Sequence, residues 1–464
     1  MSRYLLKSAF ASGRWLRNVV ATVSDEGFIT RLDAATDGGA SLDGIETVDG
    51  TVVPGMANAH SHAFQRGMAG STEYRSSARD SFWTWRRAMY ALANRIEPED
   101  LEIIATQLFV EMLKSGYTSV AEFHYLHRRR DRTAYTGRNA LWDAISAAAS
   151  AAGIGLTFLP TLYQTSDFGG EPLKSEQARF ASDTDAFVRA VEQRLDAERG
   201  KGSRAQRTGV AFHSLRAVPL QNLREAAQRL RSIDPALPMH IHVAEQVLEV
   251  KACLRATGQR PIELLLGTGL LDPHWCLVHA THATAAELEQ LANIGATVCV
   301  SISTEANLGD GCFETARFLN AGGRLCVGSD SQSTVSPAEE LRWLEYQQRL
   351  RKKGRSVLAT KAEPHVGTRL WSDAARHGAE ALGQPAGAIE AGRRADWLVL
   401  DAGHPAMAGA DVDTALDRLV FAGGEAAIRD VMVAGRWVVK DGCHKEEGQL
   451  RRRFAEAMGR LAAQ

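Results

Sequence analysis

A chain of 464 residues, 45% hydrophobic and 23% charged, has the composition of a globular protein with room for one large domain and one smaller one. Its formal net charge of −1 excludes an electrostatic case for nucleic acid or an anionic membrane as partner, and no segment is long and apolar enough for a membrane span. Six scattered cysteines without a CxxC argue against a disulfide framework and for a reducing, cytoplasmic setting.

The first 50 residues read as short strands with turn punctuation, at Tyr4–Ala9, Trp15–Val23 and Gly27–Leu32. From Met56 onward short apolar runs alternate with helical periods. Pro98 opens one such unit: Leu101, Ile104, Leu108 and Met112 keep a three-to-four spacing, Gly116 ends the helix, and Thr118–Phe123 follows as a strand. Further strands are expected at Gly155–Pro160, Gly209–His213, Met239–Val243, Trp275–Ala280, Ala296–Ser301 and Arg324–Ser329, with helices at Thr184–Arg199, Leu220–Arg231, Thr284–Ala292 and Pro337–Leu350. Counting Met56–His60, this makes eight strands, the number of a closed (β/α)8 TIM-like barrel. An open doubly wound sheet is disfavoured because no GxGxxG turn follows the first strand. Strand texture returns at Asp396–Asp401, Ile428–Val433 and Arg436–Val439. Residues 1–53 and 386–445 are therefore expected to form a small β-sandwich, residues 54–385 the barrel, and residues 446–464 a C-terminal helix.

In a barrel of this kind chemistry sits where the strands deliver their C-terminal ends, and ionisable residues gather there. Strand one ends in His60-Ser61-His62, whose imidazoles point to one side of an extended segment. Strand five ends in His240-Ile241-His242-Val243-Ala244-Glu245, where His240 and His242 share a face and Glu245 can bend over it as an acid or base. Strand six ends in Val278-His279-Ala280-Thr281-His282, and strand eight in Gly328-Ser329-Asp330. A single histidine beside an apolar run is normally a hydrogen-bonded core residue, and a single Asp after Gly a turn. Four such endings at one edge point instead to a metal site. Imidazoles with one carboxylate suit Zn²⁺, with Fe²⁺ or Mn²⁺ as alternatives. The ends of strands three and four offer no lysine for a carboxylated bridge, so one divalent ion is expected rather than two.

The segments PGMANAHSHAFQR, HIHVAE, LVHATH and GSDS, in this order, resemble the amidohydrolase superfamily and within it the mononuclear deaminases. HSHAFQR, DSFWTWR, EFHYLH, HSLRAV and SISTEANLGDG are similar to the formimidoylglutamate deiminases of bacterial histidine degradation. The resemblance implies metal ligands His60, His62, His242 and Asp330. Of the two strand-five histidines it selects His242, leaving His240 structural. It implies proton handling by Glu245 and His279 with Asp330, and substrate contacts from Gln65, Arg86, Tyr125, His213 and Arg216. The implied reaction is hydrolysis of N-formimino-L-glutamate to N-formyl-L-glutamate and ammonia, and the implied partner is a small dicarboxylate, with a homodimer expected. Two carboxylates on such a substrate match two arginine forks, Arg86 from the loop after strand one and Arg216 from the end of strand four; the adjacent Arg87 competes with Arg86 for the inward place. The competing readings are a deaminase of a neutral heterocycle such as guanine or a triazine, a hydrolase of cyclic amides, and a non-catalytic ligand-binding barrel.

Overall fold

The computed structural model describes residues 1–34, 44–74, 82–136, 139–199, 205–409 and 411–463. Asp80 and Ser81 of the DSFWTWR segment lie outside the described residues. Eight parallel strands follow one another as Met56–Ser61, Tyr117–His124, Gly155–Leu162, Val210–Ser214, Met239–Val243, Trp275–His279, Thr297–Val300 and Arg324–Val327. Each matches an expected strand to within two residues at either end, and the fifth matches at both ends. A short strand at Gln206–Thr208 pairs additionally with the third.

The barrel closes on itself between its first and eighth strands. Ser61 pairs in parallel with Asp330; the His62 N–H donates to the Asp330 carbonyl at 3.1 Å and the Asp330 N–H donates to the His60 carbonyl at 3.0 Å. Strand one and strand six are buried along their whole length, as parallel strands packed on both faces must be. The closure is tight. A Cβ placed on Gly328 would lie 2.7 Å from His60 Cβ and 2.8 Å from the His60 carbonyl oxygen, so only glycine lets the eighth strand reach the first. Gly328→Ala is therefore expected to destabilise the fold by roughly 1–3 kcal/mol, the usual cost of overpacking, and to lower the metal content of the purified protein. Thermal unfolding and elemental analysis read the two effects.

The unit opened by Pro98 forms as its sequence suggests. The helix Pro98–Ser115 has proline in its first turn, Asp100 accepts the Glu97 N–H at 3.4 Å, and Gly116 takes the left-handed cap at φ 107°. The helix then passes directly into strand two. The C-terminal helix Glu447–Ala462 packs against this same helix, with Lys114 on Glu447 at 2.8 Å and Arg460 on Asp100 at 3.0 Å.

The two chain ends build one separate sheet, in the order Cys443–His444, Arg436–Lys440, Ile428–Val433, Trp397–Leu400, Glu46–Pro54, Ser2–Ala11, Arg14–Val23 and Ile29–Ala34. Where the sequence reading expects a sandwich, hydrogen bonding runs unbroken through all eight strands. The joining element is Glu46–Pro54, which the sequence reading passes over. It pairs parallel with Ser2–Ala11 and antiparallel with Trp397–Leu400, and so fastens one chain end to the other. Tyr4, Leu6, Val52, Trp397 and Met432 give this sheet its own apolar cluster, with the Tyr4 and Trp397 rings edge to face at 5.5 Å. Among the described residues no helix is long and apolar enough to cross a membrane.

Candidate active site

The C-terminal edge of the barrel carries backbone that L-residues rarely adopt. Ala244 (φ 53°), His279 (φ 70°), Ala280 (φ 50°) and Asp330 (φ 46°) are all left-handed, at the ends of strands five, six and eight. These turns bend three strand ends over the barrel mouth, and left-handed non-glycine residues concentrate where a site holds its groups in place.

Under those turns four side chains converge. His60 Nε2 lies 3.0 Å from His242 Nε2 and 3.3 Å from Asp330 Oδ1, and His62 Nε2 lies 3.4 Å from the same oxygen. Each of the latter two histidines is oriented from behind. His62 Nδ1 donates to the Phe123 carbonyl at 2.8 Å and His242 Nδ1 donates to the His213 carbonyl at 2.8 Å, which leaves their Nε2 lone pairs facing the common point. Burial holds His60, His62 and His242 below the ordinary imidazole range, His62 down to about 3, so at neutral pH these rings offer lone pairs rather than protons. Burial works against charge on Asp330, yet the surrounding His60, His62 and His279 rings outweigh it and keep the carboxylate ionised. Neutral imidazoles and one carboxylate oxygen at this spacing form a donor set that fits a divalent ion. His240, the alternative on strand five, faces elsewhere: its Nε2 bonds the Ala381 carbonyl at 2.9 Å.

Beside this group stand Glu245 and His279. His279 Nε2 is 3.9 Å from Glu245 Oε1 and 3.8 Å from Asp330 Oδ2. Burial raises the Glu245 carboxyl to about 7, against the pull of the neighbouring His279. Burial also opposes charge on His279, but the Glu245, Glu305 and Asp330 carboxylates push that ring up to about 10. An acid near neutrality next to a metal-ligand set is the arrangement proton transfer at physiological pH needs.

Above these groups lies a narrow cavity of about 50 Å³. Ten of the eleven residues singled out in the sequence line it, namely His62, Gln65, Arg86, Tyr125, His213, Arg216, His242, Glu245, His279 and Asp330; the eleventh, His60, is fully buried. Gln65 comes from the short helix Ala63–Met68 and donates to the Tyr125 hydroxyl at 2.9 Å. Arg86 sits on the helix Phe82–Ala93 rather than on a loop, and its neighbour Arg87 is exposed, which settles which of the pair faces inward. The Arg86 guanidinium lies 4.2 Å from the Trp83 ring and that of Arg216 lies 5.9 Å from the same ring, so one indole serves both cations. Among the described residues neither guanidinium has a carboxylate at ion-pair distance, although, against its burial, the more distant Glu249 and Glu245 carboxylates hold the Arg216 guanidinium up.

Sequence reasoning misses the groups that act from behind or as walls. Glu122, at the end of strand two, accepts the Ser61 hydroxyl and the Ala63 N–H, both at 2.7 Å, and so pins the His60-Ser61-His62 turn. Tyr163 follows strand three and packs 4.5 Å from the His213 ring. Phe82, Trp85, Met89, Tyr90, Phe180 and Leu308 complete the wall. Glu305 contacts His279. Only Glu305 carries a usable signal, as an acid just after strand seven.

A comparison with known families matches residues 51–438 to the Amidohydrolase family. The chain belongs to the amidohydrolase family. Members of the family generally bind a divalent metal ion, in keeping with the His and Asp group at the barrel mouth. The chain is 47% identical to the formimidoylglutamate deiminase of Pseudomonas aeruginosa, over 99% of its own length and 100% of that protein. Among solved structures it is similar to an amidohydrolase from Brucella melitensis, with a TM-score of 0.91 and 39% identity over 100% of both chains. A zinc-bound adenosine deaminase from Xanthomonas campestris shares the fold at a TM-score of 0.82 and 21% identity, over 100% of this chain and 98% of that one.

Proposed function

We propose that the chain hydrolyses N-formimino-L-glutamate to N-formyl-L-glutamate and ammonia. The observation that carries this reading is the pair of inward guanidiniums, Arg86 and Arg216, facing one cavity with no ion-paired carboxylate from the described residues. Neither fork has a carboxylate in contact, and a substrate with two carboxylates brings one for each. The 47% identity to a formimidoylglutamate deiminase over the full length supports the same assignment.

His60, His62, His242 and Asp330 are the residues that hold the metal in this reading, with Zn²⁺ as the ion the donor set suits best. When bound, a divalent ion activates water by bringing its deprotonation towards neutral pH. The remaining chemistry belongs to the side chains. Arg86, Arg216 and Gln65 fix the glutamate moiety, so that the formimino carbon lies over the water. Asp330 orients that water and accepts a proton from it. As the water oxygen bonds to the formimino carbon, Glu245 delivers a proton to the imino nitrogen, and His279, between Glu245 and Asp330, stabilises the developing charge. The tetrahedral carbon then collapses: the proton held by Asp330 passes to the –NH2 group, the hydroxyl proton returns to Glu245 as the formyl C=O forms, the bond from carbon to that nitrogen breaks and ammonia leaves. The six free cysteines support a cytoplasmic, reducing location for this enzyme.

A deaminase acting on a neutral heterocycle shares the metal group but has no use for two inward guanidiniums. Ammonia release from N-formimino-L-glutamate, N-formimino-L-aspartate and guanine, with metal content measured on the same preparation, separates the readings. The expected result is a preference for the glutamate derivative that disappears on chelation; a preference for guanine overturns the substrate assignment.

A further inference from the structure

We infer that Glu305 positions His279 for catalysis, binding its Nδ1–H and fixing the rotation of the ring so that Nε2 faces the reacting groups. The inference rests on the reading of His279 as a proton-handling residue and assigns the group that makes it so.

Glu305 lies in the short helix Ile302–Leu308 that follows strand seven, and it is fully buried. Its Oε1 is 3.2 Å from His279 Nδ1 and also accepts the Ser301 N–H at 3.1 Å. Its Oε2 has no hydrogen-bond partner among the described residues. The ion-pair contact that the described residues give this carboxylate is His279. A carboxylate taken out of water is costly, and one backbone N–H that a serine or asparagine would satisfy explains it poorly. Its relation to His279 explains it.

The geometry on the histidine side agrees. Two successive left-handed residues, His279 and Ala280, set where the ring leaves the backbone, but they do not set its rotation or its proton. A carboxylate oxygen at Nδ1 accepts and never donates, so it requires the proton there. Nε2 then stands between the two carboxylates that handle the water and imine protons, 3.9 Å from Glu245 and 3.8 Å from Asp330. A glutamine at position 305 has nearly the same shape, but its neutral amide oxygen holds the Nδ1–H more weakly than a carboxylate does, and the amide can turn its N–H₂ towards the ring and displace it.

The test uses the metal-loaded enzyme and the variants Glu305→Gln, His279→Asn and the double variant, with kcat, KM for N-formimino-L-glutamate and metal content measured on each. The expected result for Glu305→Gln is a kcat lower by about 10–100-fold, the usual scale for groups that orient a site from behind, with KM and metal content unchanged. On the His279→Asn background the same substitution has no further effect, because there is no imidazole left to orient. A Glu305→Gln enzyme as fast as the parent overturns the inference. So does a loss that multiplies on the His279→Asn background, which marks Glu305 as a helix cap alone. ¹⁵N NMR of histidine-labelled parent enzyme keeps the question decidable if Glu305→Gln does not fold: the His279 signal, assigned by its absence from His279→Asn, reports a protonated Nδ1, and a ring protonated at Nε2 alone overturns the inference. The same spectrum tests Glu305 even if the parent releases no ammonia from N-formimino-L-glutamate, an outcome that sinks the substrate reading instead.

Discussion

Replacing Glu245 by glutamine is expected to lower kcat on N-formimino-L-glutamate by about 10²–10⁴-fold while the metal stays bound. Glutamine keeps the length and shape of the side chain, and the backbone at this position is held independently, with the Glu245 N–H donating to Glu249 Oε2 at 2.9 Å. Glu245 is not among the converging metal donors, so elemental analysis should return the parental metal content. What the variant loses is a transferable proton on the group whose acidity burial has brought to about 7. Steady-state kinetics across pH 6–9 with parallel metal analysis makes the distinction. Near-normal turnover at full metal content removes Glu245 from the mechanism.

The second large effect is expected at the arginines. Arg216→Met or Arg86→Met takes away one charge-assisted carboxylate contact, worth roughly 1.5–3 kcal/mol, or about 10–150-fold in kcat/KM for the dicarboxylate. Because both guanidiniums share the Trp83 ring, the two losses are coupled, and the double variant should depart from their product. The comparison substrate gives the result its meaning. A fall in kcat/KM confined to dicarboxylates ties the arginines to carboxylate recognition, whereas equal losses on a neutral heterocycle would mark them as wall residues.

The barrel was legible because its signal repeats. Eight apolar runs, each followed by a polar or ionisable ending, leave little freedom about which side of the sheet carries chemistry. His60, His62, His242, Glu245, His279 and Asp330 were readable because they sit at strand ends, and strand ends are where hydrophobic patterning gives way. Arg86 was readable as a charge but not as part of a helix, because FWTWRR gives an aromatic-rich segment no clear period. Glu122 and Tyr163 were silent for another reason. Each lies in or next to an apolar run, where a single polar residue reads as part of the packing, and their partners lie 61 residues away for Ser61 and 50 residues away for His213. The left-handed turns at Ala244, His279 and Asp330 were hidden too, since glycine normally announces such backbone and here other residues adopt it. The link between the chain ends was missed because Glu46–Pro54 mixes charged, polar and valine residues without strict alternation.

The seam between the first and eighth strands has a consequence for how the enzyme comes into being. Asn58 and Ser329, hydrogen-bonded at 2.6 Å across that seam, are 271 residues apart in sequence, and His60 and Asp330 lie immediately beside them. While the chain is being synthesised, Asp330 emerges long after the first histidine pair, and no N-terminal fragment ending before strand eight owns the full set of proposed metal donors. With the metal site as proposed, a nascent or truncated chain is therefore expected to bind the ion weakly, and tight uptake to report that the ring has shut. In the finished protein the proposed cation between these strands would act as a clasp, so that stripping it should loosen the seam first, and protease access to the residues around Gly328 should rise before the rest of the ring gives way.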